Sequence, residues 1–536
     1  MEIITQSIYK FAHHSIQIIS IALMAILSIS AFLLTCYADD MISQQALTKW
    51  DNPLLNILGI VCFVGILYFF TKIFTHNPTK RIPILLILVM GWCLLLGAVL
   101  VVFSKTAPAA DAWSVYDIAQ NLAMGNTGVI HPTDSYLSYY PQQVGLVAFL
   151  EVLIRLWNLL PLSLPAYHFI KCIYVVLLCI TIFFQYRTVH LLWKNAKVDC
   201  IYLLLAASNL PWIMYTSFVY GEIPSFTMMY IGIYYLFKLL YVEEKNPFLH
   251  GTLSLLALTL AVMLRKNSLI FIIAIVIVVL CHWLKTKRHS LLLYTLLCVF
   301  LSASILPMIQ KSMEHRADNY LQSGVPAKAY FAMGMQESSR GNGWYNAFNF
   351  DTYQATGMDT EATNAISENA IAERLQYFGE HPDYAIHFYF QKYLTQWADG
   401  TYASRQATLA TFGGRNEFFN QVYAGEYSNF FIGYCNIYQN IIYLACLWFF
   451  VREYINSKKQ RQATTICNTE SATTNSCHFA TYLGIICVLG GFLFHMIWEA
   501  NSRYIFLYSL MLLPYAAKEL SSTFSMFSTK EKGITK

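Results

Sequence analysis

Residues 141–160 read PQQVGLVAFLEVLIRLWNLL. The run is apolar enough to cross a bilayer, yet it carries Glu151 and Arg155. Those two lie four residues apart, on one helical face, where they can pair. Whether the run crosses decides the side on which every later loop falls. About twelve other apolar runs are long enough to span as helices: 14–36, 53–74, 83–104, 165–189, 198–217, 222–241, 248–264, 267–284, 290–310, 429–452, 478–497 and 503–520. Place Lys10 inside. The loop with Lys80 and Arg81 is then inside, and Asp39 and Asp40 are outside. If 141–160 does not cross, the basic groups Lys194/Lys197, Lys285/Lys287/Arg288 and Lys458/Lys459/Arg461 also fall inside; if it crosses, all three fall outside. Cytoplasmic loops are enriched in Lys and Arg. The stretch therefore reads as an interfacial or re-entrant helix on the outer face. The fold class predicted is an all-α polytopic membrane protein, with both ends inside and a mainly helical extracellular domain.

Composition agrees. Of 536 residues, 57% are hydrophobic and 12% charged, against roughly 25% charged in soluble domains. Those figures exclude a disordered chain and a secreted disulfide scaffold. The net charge of +5 is too small and dispersed for a nucleic-acid partner. The 13 cysteines lie mostly in apolar runs and show no metal spacing, so they read as free thiols. The first run, 14–36, is too long for a signal-peptide core and reads as a retained span. Four regions follow: a two-span module (1–82), a membrane core (83–310) with an outer loop (105–160), an extracellular domain (311–428), and C-terminal spans (429–536). The segment 311–428 holds 13 acidic and 8 basic residues, net −5, which leaves +10 elsewhere. Helices are expected at 361–378 and 382–398, with a Gly-rich loop at Ser338–Gly343. The Thr/Ser/Asn-rich stretch 463–476 reads as a flexible cytoplasmic connector.

A few polar residues fall at the outer membrane boundary. Asp111 sits just past a span in FSKTAPAADAWSVYDIAQNLAMGN, ahead of a short amphipathic helix. It either accepts a proton from an attacking hydroxyl or N-caps that helix. His131, Asp134, Tyr139, Tyr140, Gln142 and Gln143 form a polar, aromatic cluster, suited to a sugar or to an interfacial belt. Arg265 and Lys266 lie on the outer side, against the orientation bias, and either bind a phosphate or snorkel to headgroups. Lys171 has the same two readings. Glu499 and Arg503 are four apart beside Tyr504, and either pair or reach a site.

The order of these pieces resembles the GT-C superfamily of integral-membrane glycosyltransferases. Protein O-mannosyltransferases and the lipid A aminoarabinose transferase are members. The matching pieces are Asp111 to Gly125, Tyr139 to Gly145, Leu264 to Asn267, and Glu499 to Tyr504. The stretches MGMQESSRGNGWYN and HPDYAIHFYFQKYLTQW resemble the outer portion of Gram-positive members that decorate cell-wall glycans. The resemblance implies a bacterial cytoplasmic-membrane enzyme with an outward-facing active site. It would move a sugar, with inversion, from a polyprenyl-phosphate donor to an acceptor hydroxyl of a surface glycan or glycolipid. It implies Asp111 as general base. Arg265, Lys266, Arg503 and Lys171 are assigned to the donor phosphate; Asp117, His131, Tyr139, Tyr140, Gln142, Gln143, Trp344, Glu499 and Tyr504 are assigned to sugar and acceptor. In most members a second acid directly follows the base. Here Ala112 stands there, and either Asp117 supplies the second carboxylate or none is needed. Dependence on a divalent cation, Mg or Mn, stays open. Two other classes remain: a polymerase or O-antigen-ligase type enzyme using His315, His381, His387, Arg340 and Arg405, and a flippase or transporter with helices broken at Pro211 and Pro224.

Overall fold

The computed structural model describes residues 2–38, 44–103, 106–241, 246–408, 415–467 and 479–534. Asp39, Asp40, Cys477 and most of the 463–476 connector lie outside them. The described chain is almost wholly helical. Ten helices are long and apolar enough to cross a membrane. The pair Ala196–Ser208 and Leu210–Ser217, bent by 58° at a break, is either a further, broken span or a re-entrant loop. Asn209 causes the break by capping the second helix through its side chain, and Pro211 lacks the N–H that would continue the first. Pro224 has no such effect, because it lies in the first turn of Glu222–Tyr241, where proline is tolerated. The predicted span 503–520 is split into Ser502–Leu510 and Leu513–Ile534. Carbonyls freed at that split find partners: Gln185 donates to Leu510 at 2.8 Å. Such repair is what a broken helix needs away from water.

The stretch 141–160 forms a 15-residue helix, Val144–Asn158. At 1.5 Å per residue it is about 22 Å long, short of a bilayer's apolar core. Its charged pair is real: Arg155 reaches Glu151 at 2.9 Å. Arg316 clasps both oxygens of the same carboxylate at 2.8 Å, tying the helix to the end of Ser290–Ala317. At its start, Gly145 presses against the Met263 carbonyl, leaving no room for a Cβ. The helix is thus held beside the 264–268 turn.

The polar unit 318–427 is built of short helices around Thr360–Glu380 and Pro382–Trp397, at the two places expected. The N-terminal module contributes a feature the sequence reading lacks. After the first span, Leu34–Ala38 and Ala46–Trp50 pair as an antiparallel hairpin. Cys36 N donates to Ala398 O at 2.9 Å, and Ala46 N to Arg340 O at 2.8 Å. Arg405 donates to Ala38 O. The hairpin is therefore stitched to the polar unit. Eleven of the cysteines among the described residues are free thiols.

Candidate functional site

The helix Ala110–Ala123 starts without a side-chain cap, since its N-cap is Ala109. Asp111 is the second residue inside the first turn, so it is not the cap. Ala110 takes a left-handed φ of 49° immediately before it. Strain of that kind in a non-glycine residue persists only where surrounding structure enforces it. Among the described residues no hydrogen bond engages the Asp111 carboxylate. It lines an open cavity between the membrane helices, the hairpin and the polar unit. Arg503, Phe218, Trp344, Asp399, Gln406, Tyr37 and Gln44 line the same cavity.

Two arginines converge here on a residue that sequence reasoning missed, Glu222. Its side chain is 1% exposed. Arg265 forms an ion pair with it, and Arg503 Nε lies 3.9 Å from the same oxygen. Gly221 permits this, because its backbone packs against the Leu264 carbonyl at a distance no Cβ allows. One carboxylate between two guanidiniums leaves one net positive charge. Arg503 also sits over the rings of Phe218, Tyr220 and Tyr504 at 5.3–5.7 Å. The stretch SFVYGEIPSF did carry a signal: an acid at the boundary of an apolar span.

Glu499 lies in the short turn between Leu483–Ile497 and Ser502–Leu510. Tyr504 donates to it at 3.1 Å. Burial pushes its carboxyl up to about 7, and the charge of Asp111 adds to the rise, against Arg503, Tyr504 and Arg340. The turn is fixed from the polar unit. Ala500 N donates to Gly343 O at 2.8 Å, and Lys392 Nζ to Trp498 O at 2.8 Å. Burial lowers the Lys392 ammonium to about 7. Tyr140 belongs to the same group: burial raises its hydroxyl, with Tyr345, Asp111 and Glu499 contributing.

The other predicted residues divide. Gln143 donates to Tyr220, and Gln142 faces Tyr330 of the polar unit. Trp344 is buried and donates to Thr395 at 2.9 Å. Tyr139 instead stacks on Phe350 and meets Tyr353. Its carbonyl accepts from Val325 N, so it joins the loop to the polar unit. His131 closes a local turn with Thr133 and Asp134. Asp117 is six residues beyond Asp111, about 240° around the helix, and bonds Asn121. The charge of Asp111 acts on Glu499, and Asp111 and Glu222 both act on Tyr220 and Arg503. Lys171 is buried, its ammonium on the Thr106 carbonyl at 2.6 Å, so it secures the chain entering the loop. Lys266 is exposed. Among the described residues no group of three His, Cys, Asp or Glu side chains is placed to hold a metal ion.

A family model described as "conserved hypothetical integral membrane protein" matches residues 8–523. Neither the curated proteins nor the solved structures yield a match.

Proposed function

The chain belongs to this family of conserved hypothetical integral membrane proteins, and we propose that it is an inverting glycosyltransferase. In this reading it takes a sugar from a polyprenyl-phosphate donor in a bacterial cytoplasmic membrane and passes it to an acceptor hydroxyl of a surface glycan or glycolipid. The reading rests on one observation: an unbonded carboxylate, Asp111, shares a cavity with Arg503 at the membrane-facing rim of the polar unit. The basic loops lie at the opposite end of the helices, so positive-inside bias turns the cavity outward.

The acceptor oxygen attacks the anomeric carbon while Asp111 takes its proton. The bond from that carbon to the phosphate oxygen breaks on the far side, and polyprenyl phosphate leaves with the electron pair. Arg503 faces the phosphate and stabilises the growing charge. Arg265, 10% exposed and paired with Glu222, acts from behind it. The net positive charge of the three-residue cluster suits an incoming phosphodiester monoanion.

The ligase-type reading draws less support. His315, at the end of Ser290–Ala317, and His381 and His387, on the polar unit, are exposed. Arg405 holds Tyr423 and Ala38 carbonyls, and only Arg340 acts on the site. One bent span favours the transporter reading. Mass spectrometry of wall glycans and lipid-linked sugars in a deletion strain tests transfer. A lost glycan with accumulated polyprenyl-phosphate sugar supports it; an unchanged glycome with altered uptake favours transport.

A further inference from the structure

We propose that Gln406 reads adjacent hydroxyls of a glycosyl unit held in the cavity, an assignment that rests on the glycosyl-transfer reading above. Gln406 lines the cavity and is 7% exposed. Among the described residues, neither its amide nitrogen nor its carbonyl oxygen has a hydrogen-bond partner. Buried polar groups are nearly always bonded, so an unpaired amide on a cavity wall is a group left for a ligand. A carboxamide offers a donor and an acceptor side by side, which matches two neighbouring sugar hydroxyls.

The surrounding polar groups are already engaged. Asp399 accepts from the Ser502 hydroxyl at 2.7 Å, the Thr401 hydroxyl at 2.6 Å, Thr401 N at 2.9 Å and Ala403 N at 3.1 Å. Thr395 accepts from Trp344. Gln406 differs from them in having no partner among the described residues.

The backbone that presents it is constrained. Tyr402 and Ala403 both take left-handed φ, 50° and 52°, just before the turn Ser404–Ala407. The Asp399 bond to Ala403 N and the Tyr215 hydroxyl bond to Tyr402 O hold that conformation. Tyr37 and Gln44 of the hairpin line the same cavity and bring an aromatic face and a second amide. The charge in this part of the lining, Asp399, has its oxygens occupied by protein donors. It therefore suits the neutral, hydroxylated part of a substrate, while Arg503 and Asp111 serve the reacting end. Donor sugar and acceptor sugar share this chemistry.

The test uses the full chain in detergent. Saturation-transfer NMR is run with methyl glucoside, galactoside, mannoside and N-acetylglucosaminide as probes. At least one should bind wild type. Gln406→Leu should weaken that probe about tenfold, the value of a lost hydrogen-bond pair. The melting temperature of Gln406→Leu should not fall, because the amide it removes bonds nothing. Displacement of the methyl glycoside by the matching glycosyl-phosphofarnesol assigns Gln406 to the donor sugar; simultaneous binding assigns it to the acceptor. Equal binding by wild type and Gln406→Leu overturns the proposal, as does a large fall in melting temperature. Either result leaves the transfer reading standing on the activity of Asp111→Asn. No glycoside binding to a wild-type protein that is active in transfer also overturns it.

Discussion

Replacing Glu222 with Ala removes the carboxylate between Arg265 and Arg503. Glu222 is 1% exposed, Arg265 10% and Arg503 17%. At 3.9 Å, the Arg503 separation, unit charges interact by about 4 kcal/mol at an effective dielectric near 20. Removing one partner of a buried pair typically costs about 3–5 kcal/mol, because the remaining charge is left uncompensated. Here two guanidiniums are left facing each other, so the upper part of that range applies. The assay is thermal unfolding of the detergent-solubilised protein, read by tryptophan fluorescence at low and high salt. Glu222→Ala should melt several degrees lower. Glu222→Gln should fall less, since it keeps hydrogen-bonding capacity. Glu222→Ala with Arg265→Met should recover part of the loss, because one uncompensated charge is gone. A Glu222→Ala protein that melts with wild type would refute the claim that this carboxylate organises the cationic cluster.

Glu499 should give the transfer rate an inflection near pH 7. Asp111→Asn should lower the Glu499 midpoint, seen by titration, because it removes a negative charge that disfavours ionisation. Its folded carboxyl sits above its ordinary value, so wild type should lose stability relative to Glu499→Gln as pH rises from about 4.5 to 7. Melting curves across that window check the sign. Lys392 runs the other way: its folded ammonium titrates near 7. Wild type should therefore gain stability relative to Lys392→Met as pH rises from 7 toward 10, by at most about 1.4 kcal/mol per unit. Gly145→Ala drives a methyl into the Met263 carbonyl. It should cost roughly 1–3 kcal/mol and increase proteolysis of the 124–143 loop; unchanged cleavage would count against tight docking of the interfacial helix.

Apolar length and charge placement made most of the membrane architecture legible. The side on which the later basic loops fall, together with Glu151 and Arg155, flagged 141–160 as a helix that does not span, and Arg316 explains why an acid is tolerated there. The split within 503–520 was hidden because hydropathy does not register Gln185 repairing a carbonyl from 325 residues away. The hairpin was illegible too: its short strands depend on bonds to Ala398 and Arg340. In the site, Asp111, Arg503, Glu499 and Tyr140 were legible as boundary residues and Trp344 only through the family resemblance, and the structure brings them together. Lys171, Asp117 and His131 satisfied the same rule but are occupied locally. Boundary position says where a side chain starts, not which partner it finds. Glu222 could have been found as an acid opening a span. Gln406 could not, since its meaning lies in lacking partners in three dimensions.

The most direct measurement is transfer by purified protein in proteoliposomes, supplied with the lipid-linked sugar that accumulates in the deletion strain. Wild type and Asp111→Asn are compared for rate and for donor binding. The account predicts that Asp111→Asn binds the donor as wild type does and loses transfer by at least about a hundredfold, the usual contribution of a general base. Full transfer by Asp111→Asn would contradict it.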